Sequence, residues 1–115
     1  MTITNSYEKL TDDIDSFVSE RNWEQFHAPK NLAMALSVEV AELVEIFQWL
    51  TPEQSFDKDS VDLNHLEEEI GDVMIYLTMI SEKFRLNPVT AARKKMQRNI
   101  IKYPAVQHKE NGEHH

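Results

Sequence analysis

The 115-residue chain has no cysteine, which excludes a disulfide framework and any thiolate nucleophile or metal ligand. A reducing compartment, the cytoplasm, is the corresponding expectation. Basic residues are scarce relative to acids: 12 Lys and Arg stand against 20 Asp and Glu, for a formal net charge of −8. That balance disfavours non-specific binding to a nucleic-acid backbone, which needs clustered Lys and Arg to displace counterions. Long apolar runs are missing too. No stretch approaches the ~20 residues needed to cross a bilayer, and MTITNSYEKLTDD lacks the basic-then-apolar layout of a signal peptide. No membrane partner is expected. Only 2 glycines and 4 prolines interrupt the chain, so turns are few and long helices have room to run.

What is present has a period near 3.6 throughout, and no alternating strand pattern competes with it. The fold class expected is therefore all-α, in one domain. A first helix is predicted from about Asn5 to Arg21, with Tyr7, Leu10, Ile14, Phe17 and Val18 on one face. A connector, residues 22–29, carries the aromatic-rich WEQFH. A second helix is predicted over Lys30 to Leu50, ending before Pro52, because proline disfavours helical geometry in the residue preceding it. The polar stretch PEQSFDKDSVD reads as a loop. Ser60 or Asp62 then caps a third helix reaching about Leu86, and Asn87-Pro88 opens a fourth that runs to about Ile101. The domain is expected to span residues 1–104, with a flexible polar tail over 105–115. The second and third helices carry apolar residues on more than one face, which points to burial against another copy.

The chemistry lies in the acids that border the apolar stripes. Glu39 and Glu42 in EVAE, and Glu69 and Asp72 in EIGD, are each three residues apart, roughly 60° around a helix axis, so each pair projects together. Antiparallel packing of the second and third helices would bring the two pairs face to face, and four converging carboxylates repel unless a cation joins them. Hard oxygen donors of this kind suit Mg²⁺, with Mn²⁺ as the alternative. Acidic residues crowd positions 8–72, whereas Arg93, Lys94, Lys95, Arg98 and Lys102 cluster later, so an anionic ligand can be shared between a metal and the last helix. Two other readings attach to these residues. Solvated acids on amphipathic helices would make the chain a non-catalytic acidic module that meets a basic protein. Glu24 and His27 have the Glu-x-x-His spacing of di-iron bundles, but that fold needs two such motifs on long helices.

Beyond the paired acids, RNWEQFHAPKNL (21–32), EVAELVEIFQW (39–49), EEEIGDVMIYL (67–77) and the ending Lys95, Asn99, Tyr103, Pro104 resemble the MazG-like all-α nucleoside triphosphate pyrophosphohydrolases, in particular their dCTP pyrophosphatase branch. The resemblance covers about residues 10–104 and leaves no room for a second domain. It implies a four-helix bundle completed as a homodimer or homotetramer. The activity implied is Mg²⁺-dependent cleavage of a deoxynucleoside triphosphate, dCTP or a relative, into monophosphate and pyrophosphate, in nucleotide-pool sanitation. Metal ligands would be Glu39, Glu42, Glu69 and Asp72. Glu39 and Glu42 are the catalytic candidates, with Glu42 nominated as the general base. Trp23, His27, Trp49 and Tyr76 would surround the base, and Lys30, Lys95, Asn99 and Lys102 the phosphates. Asn31 either joins the phosphate group or caps the second helix.

Overall fold

A computed structural model describes residues 5–105; among these there are helices and turns and no strand. The tail expected at 105–115 lies outside the described residues except for its first position. In chain order the elements are α1 (Asn5–Glu20), a 3₁₀ turn (Glu24–Phe26), α2 (Pro29–Phe47), α3 (Pro52–Ser55), α4 (Leu63–Lys83) and α5 (Pro88–Lys102). The four long helices stand where the periodicity puts them, each end displaced by at most three residues.

The ends have local causes. At the close of α1, Asn22 adopts φ 57° and the Trp23 N–H donates to the Val18 carbonyl at 3.1 Å, a left-handed reversal that satisfies an orphan helix carbonyl. The same device ends α4, where Arg85 has φ 56° and the Leu86 N–H donates to Ser81 at 2.9 Å. Asp62, rather than Ser60, caps α4 by accepting from the His65 N–H at 3.1 Å; the Ser60 hydroxyl donates instead to Asp57. The region read as an uninterrupted loop contains α3. Thr51 and Gln54 form a reciprocal capping box around Pro52, in which the Gln54 N–H donates to the Thr51 hydroxyl and the Thr51 N–H to Gln54 Oε1. That single turn brings the chain from α2 round to α4.

The main packing is between α2 and α4, which run antiparallel: Glu39 lies near Asp72, whereas Phe47 and Leu66 share one groove. α1 and α5 touch α4 over much shorter stretches. The buried set is small. Ile14, Leu32 and Val61 are its apolar members, joined by Glu69, Thr78 and Ser81. The Thr78 and Ser81 hydroxyls donate back to the carbonyls of Met74 and Leu77, so neither is left unpaired. A radius of gyration of 17.8 Å exceeds the about 13 Å of a compact chain this long. The helices of one chain thus flank a hairpin without closing round a shared core.

α5 buries none of its residues, so its start depends strongly on local hydrogen bonds. Asn87 Oδ1 accepts from the N–H groups of Val89 at 2.8 Å and Thr90 at 3.2 Å. Replacing Asn87 with Ala is expected to cost about 1 kcal/mol and to lower helicity. Urea unfolding followed by circular dichroism measures both, and an unchanged midpoint would show that α5 is held by other contacts.

Candidate metal centre

On α2 and α4 the acids meet because the two stripes that bury each other are bordered by them. Carboxylate oxygens of Glu39, Glu69 and Asp72 lie within 4.8 Å of one another, and so do donor atoms of Glu42, His65 and Glu69. Glu69 belongs to both groups. It is 4% exposed and its Oε1 has no hydrogen-bond partner, while Oε2 lies 3.3 Å from His65 Nε2. A buried oxygen without a donor is costly. Burial first, and then the neighbouring carboxyl groups of Glu39 and Glu42, push the Glu69 pKa from 4.5 up to about 7. Such a set fits a divalent cation: it supplies carboxylate oxygens at mutual distances one ion can span, and one of them lacks any other partner. Of the acids expected to converge, Glu39, Glu42 and Asp72 each bring an oxygen within 4.8 Å of one from Glu69, in two groups that share it. Glu45, Glu67 and Glu68 stay exposed and outside both groups. The sequence reading missed His65; its position one helical turn before Glu69, at i and i+4, was the available signal.

The other expected site residues are more dispersed. Trp23 sits edge-on to Phe17 with ring centroids 5.6 Å apart, and the Arg21 guanidinium lies 3.6 Å above the Phe17 ring. Trp49, just beyond α2, is 86% exposed, and Tyr76 is half-buried on α4. His27 lines a groove of mixed polarity between α1 and α4, with Ile14, Glu24, Met79, Glu82 and Lys83. Neither that groove nor the apolar one lined by Leu43, Val44, Phe47, Gln48, Leu66 and Ile70 includes Trp23, Trp49 or Tyr76. Of the four residues expected round a base, His27 alone lines one of these two grooves. Asn31 does not cap α2: Ala28 holds the cap position without a side-chain bond, Pro29 starts the helix, and Asn31 Nδ2 donates to the Phe26 carbonyl at 3.3 Å. Its side chain therefore braces the connector. Lys30 is exposed in the first turn of α2. On α5, Lys95, Asn99 and Lys102 fall at i, i+4 and i+7, one face of the helix. Asn99 is half-buried and Lys102 Nζ lies 5.3 Å from the Tyr103 ring centre.

An all-α hairpin presenting paired acids from two antiparallel helices is the architecture of an all-helical protein with a candidate metal centre. The chain belongs to the MazG-like family, which residues 34–114 match. It is 42% identical over 91 residues to dCTP pyrophosphatase 1 of Homo sapiens, covering 77% of this chain and 54% of that protein. With the protein of the same name from Bos taurus it shares 40% over 90 residues, covering 76% and 53%. The chain thus spans about half the length of these curated relatives. A solved structure of a pyrophosphatase from Archaeoglobus fulgidus superposes with a TM-score of 0.80 at 42% identity, covering 85% of this chain and 92% of that one. Among the described residues no helix is long and apolar enough to cross a membrane.

The elevated Glu69 pKa has a signed consequence for stability. The folded state holds this proton more tightly than the unfolded chain, whose ordinary value is 4.5. Between pH 4.5 and about 7 the native protein therefore binds more protons, and stability falls as pH rises through that window. The metal-free protein should melt at lower temperature at pH 8 than at pH 5, and Glu69→Gln should flatten the dependence. Equal pH slopes in the two proteins, measured by calorimetry in chelator, would contradict a buried, electrostatically crowded Glu69.

Proposed function

We propose that the chain hydrolyses a deoxynucleoside triphosphate between its α and β phosphates, releasing the monophosphate and pyrophosphate. The observation that carries this is the buried Glu69 carboxylate with its unpartnered oxygen between Glu39, Glu42 and Asp72. The names of the relatives support the class of reaction, and dCTP or a related pyrimidine nucleotide is the favoured substrate. An acidic module built only to meet a basic protein would hold its acids outward, where counterions and a partner reach them; Glu69 points the other way.

Mg²⁺, or Mn²⁺ in its place, held by Glu39, Glu42, Glu69 and Asp72, would supply positive charge to phosphate oxygens and acidity to water. The remaining work belongs to side chains. Glu42 is half-buried at the edge of the cluster and takes the proton of the attacking water. Lys95, Asn99 and Lys102, together on one face of α5, and Lys30 from the start of α2, hold the β and γ phosphates as one leaving group. Trp23, His27, Trp49 and Tyr76 hold the base, and the 86% exposure of Trp49 leaves it accessible for stacking. Asn31, beside Lys30, joins the phosphate-binding group through the connector it braces.

The working form is a homodimer or homotetramer. Exposed Val44, Ile70, Ile100 and Ile101, at 54%, 55%, 63% and 82%, support this reading, as does the open apolar groove between α2 and α4. The reading places the protein in the cytoplasm, in sanitation of the nucleotide pool.

With dCTP and Mg²⁺ the expected products are dCMP and pyrophosphate, with labelled water oxygen appearing in dCMP. Label in pyrophosphate, or orthophosphate released in step with dCDP, would overturn the proposed phosphate register. Glu42→Gln should lower kcat on the order of a hundredfold, and Glu39→Gln, Glu69→Gln and Asp72→Asn should also abolish most turnover with helicity intact. Full activity in any two of the four would remove the metal assignment.

Trp49→Ala should raise KM and blur the preference for pyrimidine over purine triphosphates with little change in kcat, because stacking binds the ring without touching the reacting phosphorus. Unaltered KM and substrate ranking would assign Trp49 to an interface instead.

A further inference from the structure

The two donor groups of the metal centre differ in chemistry. Glu39, Glu69 and Asp72 offer oxygen alone, whereas Glu42 and Glu69 on the other side are joined by the imidazole of His65. His65 lies in the first turn of α4, where its own N–H is fixed by the Asp62 cap, and its Nε2 stands 3.3 Å from Glu69 Oε2. The i, i+4 spacing alone would explain a surface ion pair. It does not explain why Glu42, on another helix, brings an oxygen within 4.8 Å of both partners. Nor does it account for Glu69 Oε1, which is buried without a donor although His65 stands beside the same carboxyl group. A single ordinary hydrogen bond leaves that oxygen unsatisfied; a cation on each side of the carboxylate would use both oxygens.

We propose that His65 is a metal ligand, and that Glu42, His65 and Glu69 form a second cation position, bridged by Glu69 to the all-oxygen position of Glu39, Glu69 and Asp72. This rests on the metal-dependent reading above and adds to it a nitrogen donor and a selectivity. An all-oxygen group suits a hard ion such as Mg²⁺, whereas imidazole shifts preference toward Mn²⁺, Co²⁺ and Zn²⁺. The two positions would therefore fill with different preferences, the nitrogen-containing one favouring the transition metal. His65 is 43% exposed at its side chain, so an ion reaches its ring from solvent without opening the helix pair. The same exposure makes His65→Ala a mild substitution for folding.

The test uses the full chain and Mn²⁺ as the probe, without nucleotide. Pulsed electron paramagnetic resonance of protein loaded with two equivalents of Mn²⁺ should show directly coordinated nitrogen, and His65→Ala should abolish that coupling, which separates His65 from the other histidines. Isothermal titration should show Co²⁺ affinity falling about tenfold or more in His65→Ala, with Mg²⁺ affinity changed far less. Glu39→Gln should do the reverse, weakening Mg²⁺ while retaining the nitrogen coupling. Absence of nitrogen coupling in the unaltered protein, or an equal Co²⁺ to Mg²⁺ affinity ratio with and without His65, overturns the assignment while leaving the carboxylate site standing. Failure of every divalent ion to bind overturns both.

Discussion

The constraint on which the structure turns is the position of one carboxyl group. Glu69 is buried on the seam between α2 and α4, where periodicity alone would place an apolar residue, and Glu39 and Glu42 face it from the opposite helix. Without a cation this arrangement is unfavourable on two counts, desolvation and crowding of like charges, and the elevated pKa reports both. Stability is thus sacrificed at a buried point of the helix pair, which is the usual pattern at sites shaped for binding. Tight seating of the helices is what keeps the acids from spreading apart into solvent.

How much of this was legible in the sequence depends on whether its cause was local. The helix pair and its converging acids could be read because E-x-x-E and E-x-x-D spacing fixes direction on a helix, and apolar stripes beside them fix which faces meet. Asn87-Pro88 and Asp62 announced their helix starts through side chains that could do little else there. The hidden turn α3 was written in Thr51 and Gln54, but the surrounding Pro, Asp and Ser residues favour a loop as strongly as a cap. His65 was missed for a different reason. Its i, i+4 spacing to Glu69 signals no more than a surface ion pair, and the proximity of Glu42 across the seam, which sets it apart, is not contained in the spacing within α4. Asn31 was ambiguous until the helix start was known, since a residue following Pro29 lies too far inside α2 to cap it.

The aromatic residues show where reasoning from one chain stops for physical reasons. Trp23 and Trp49 are enriched in surface that a folded protein normally covers at least in part, yet they are 42% and 86% exposed. Packing within the chain cannot decide their use, because α1 and α5 only graze the central pair and leave apolar residues open along it. Under the proposed function these openings are occupied by a second copy and by the substrate's base, and one surface serves both.

That division assigns different tasks to the two ends of the molecule. The α2–α4 seam is built from within the chain: its acids, its shared Glu69 and its capped first turn need no partner to converge. The proposed recognition elements, Trp49 past the end of α2 and the lysines of α5, are instead exposed or carried on a helix that buries none of its residues. Rigid chemistry with adjustable recognition is a physically economical arrangement, because a metal site tolerates little displacement of its ligands while base and phosphate contacts can be completed on assembly. Under the proposed function, a change at Trp49 or in the connector would alter base preference without disturbing the seam on which the hydrolysis depends.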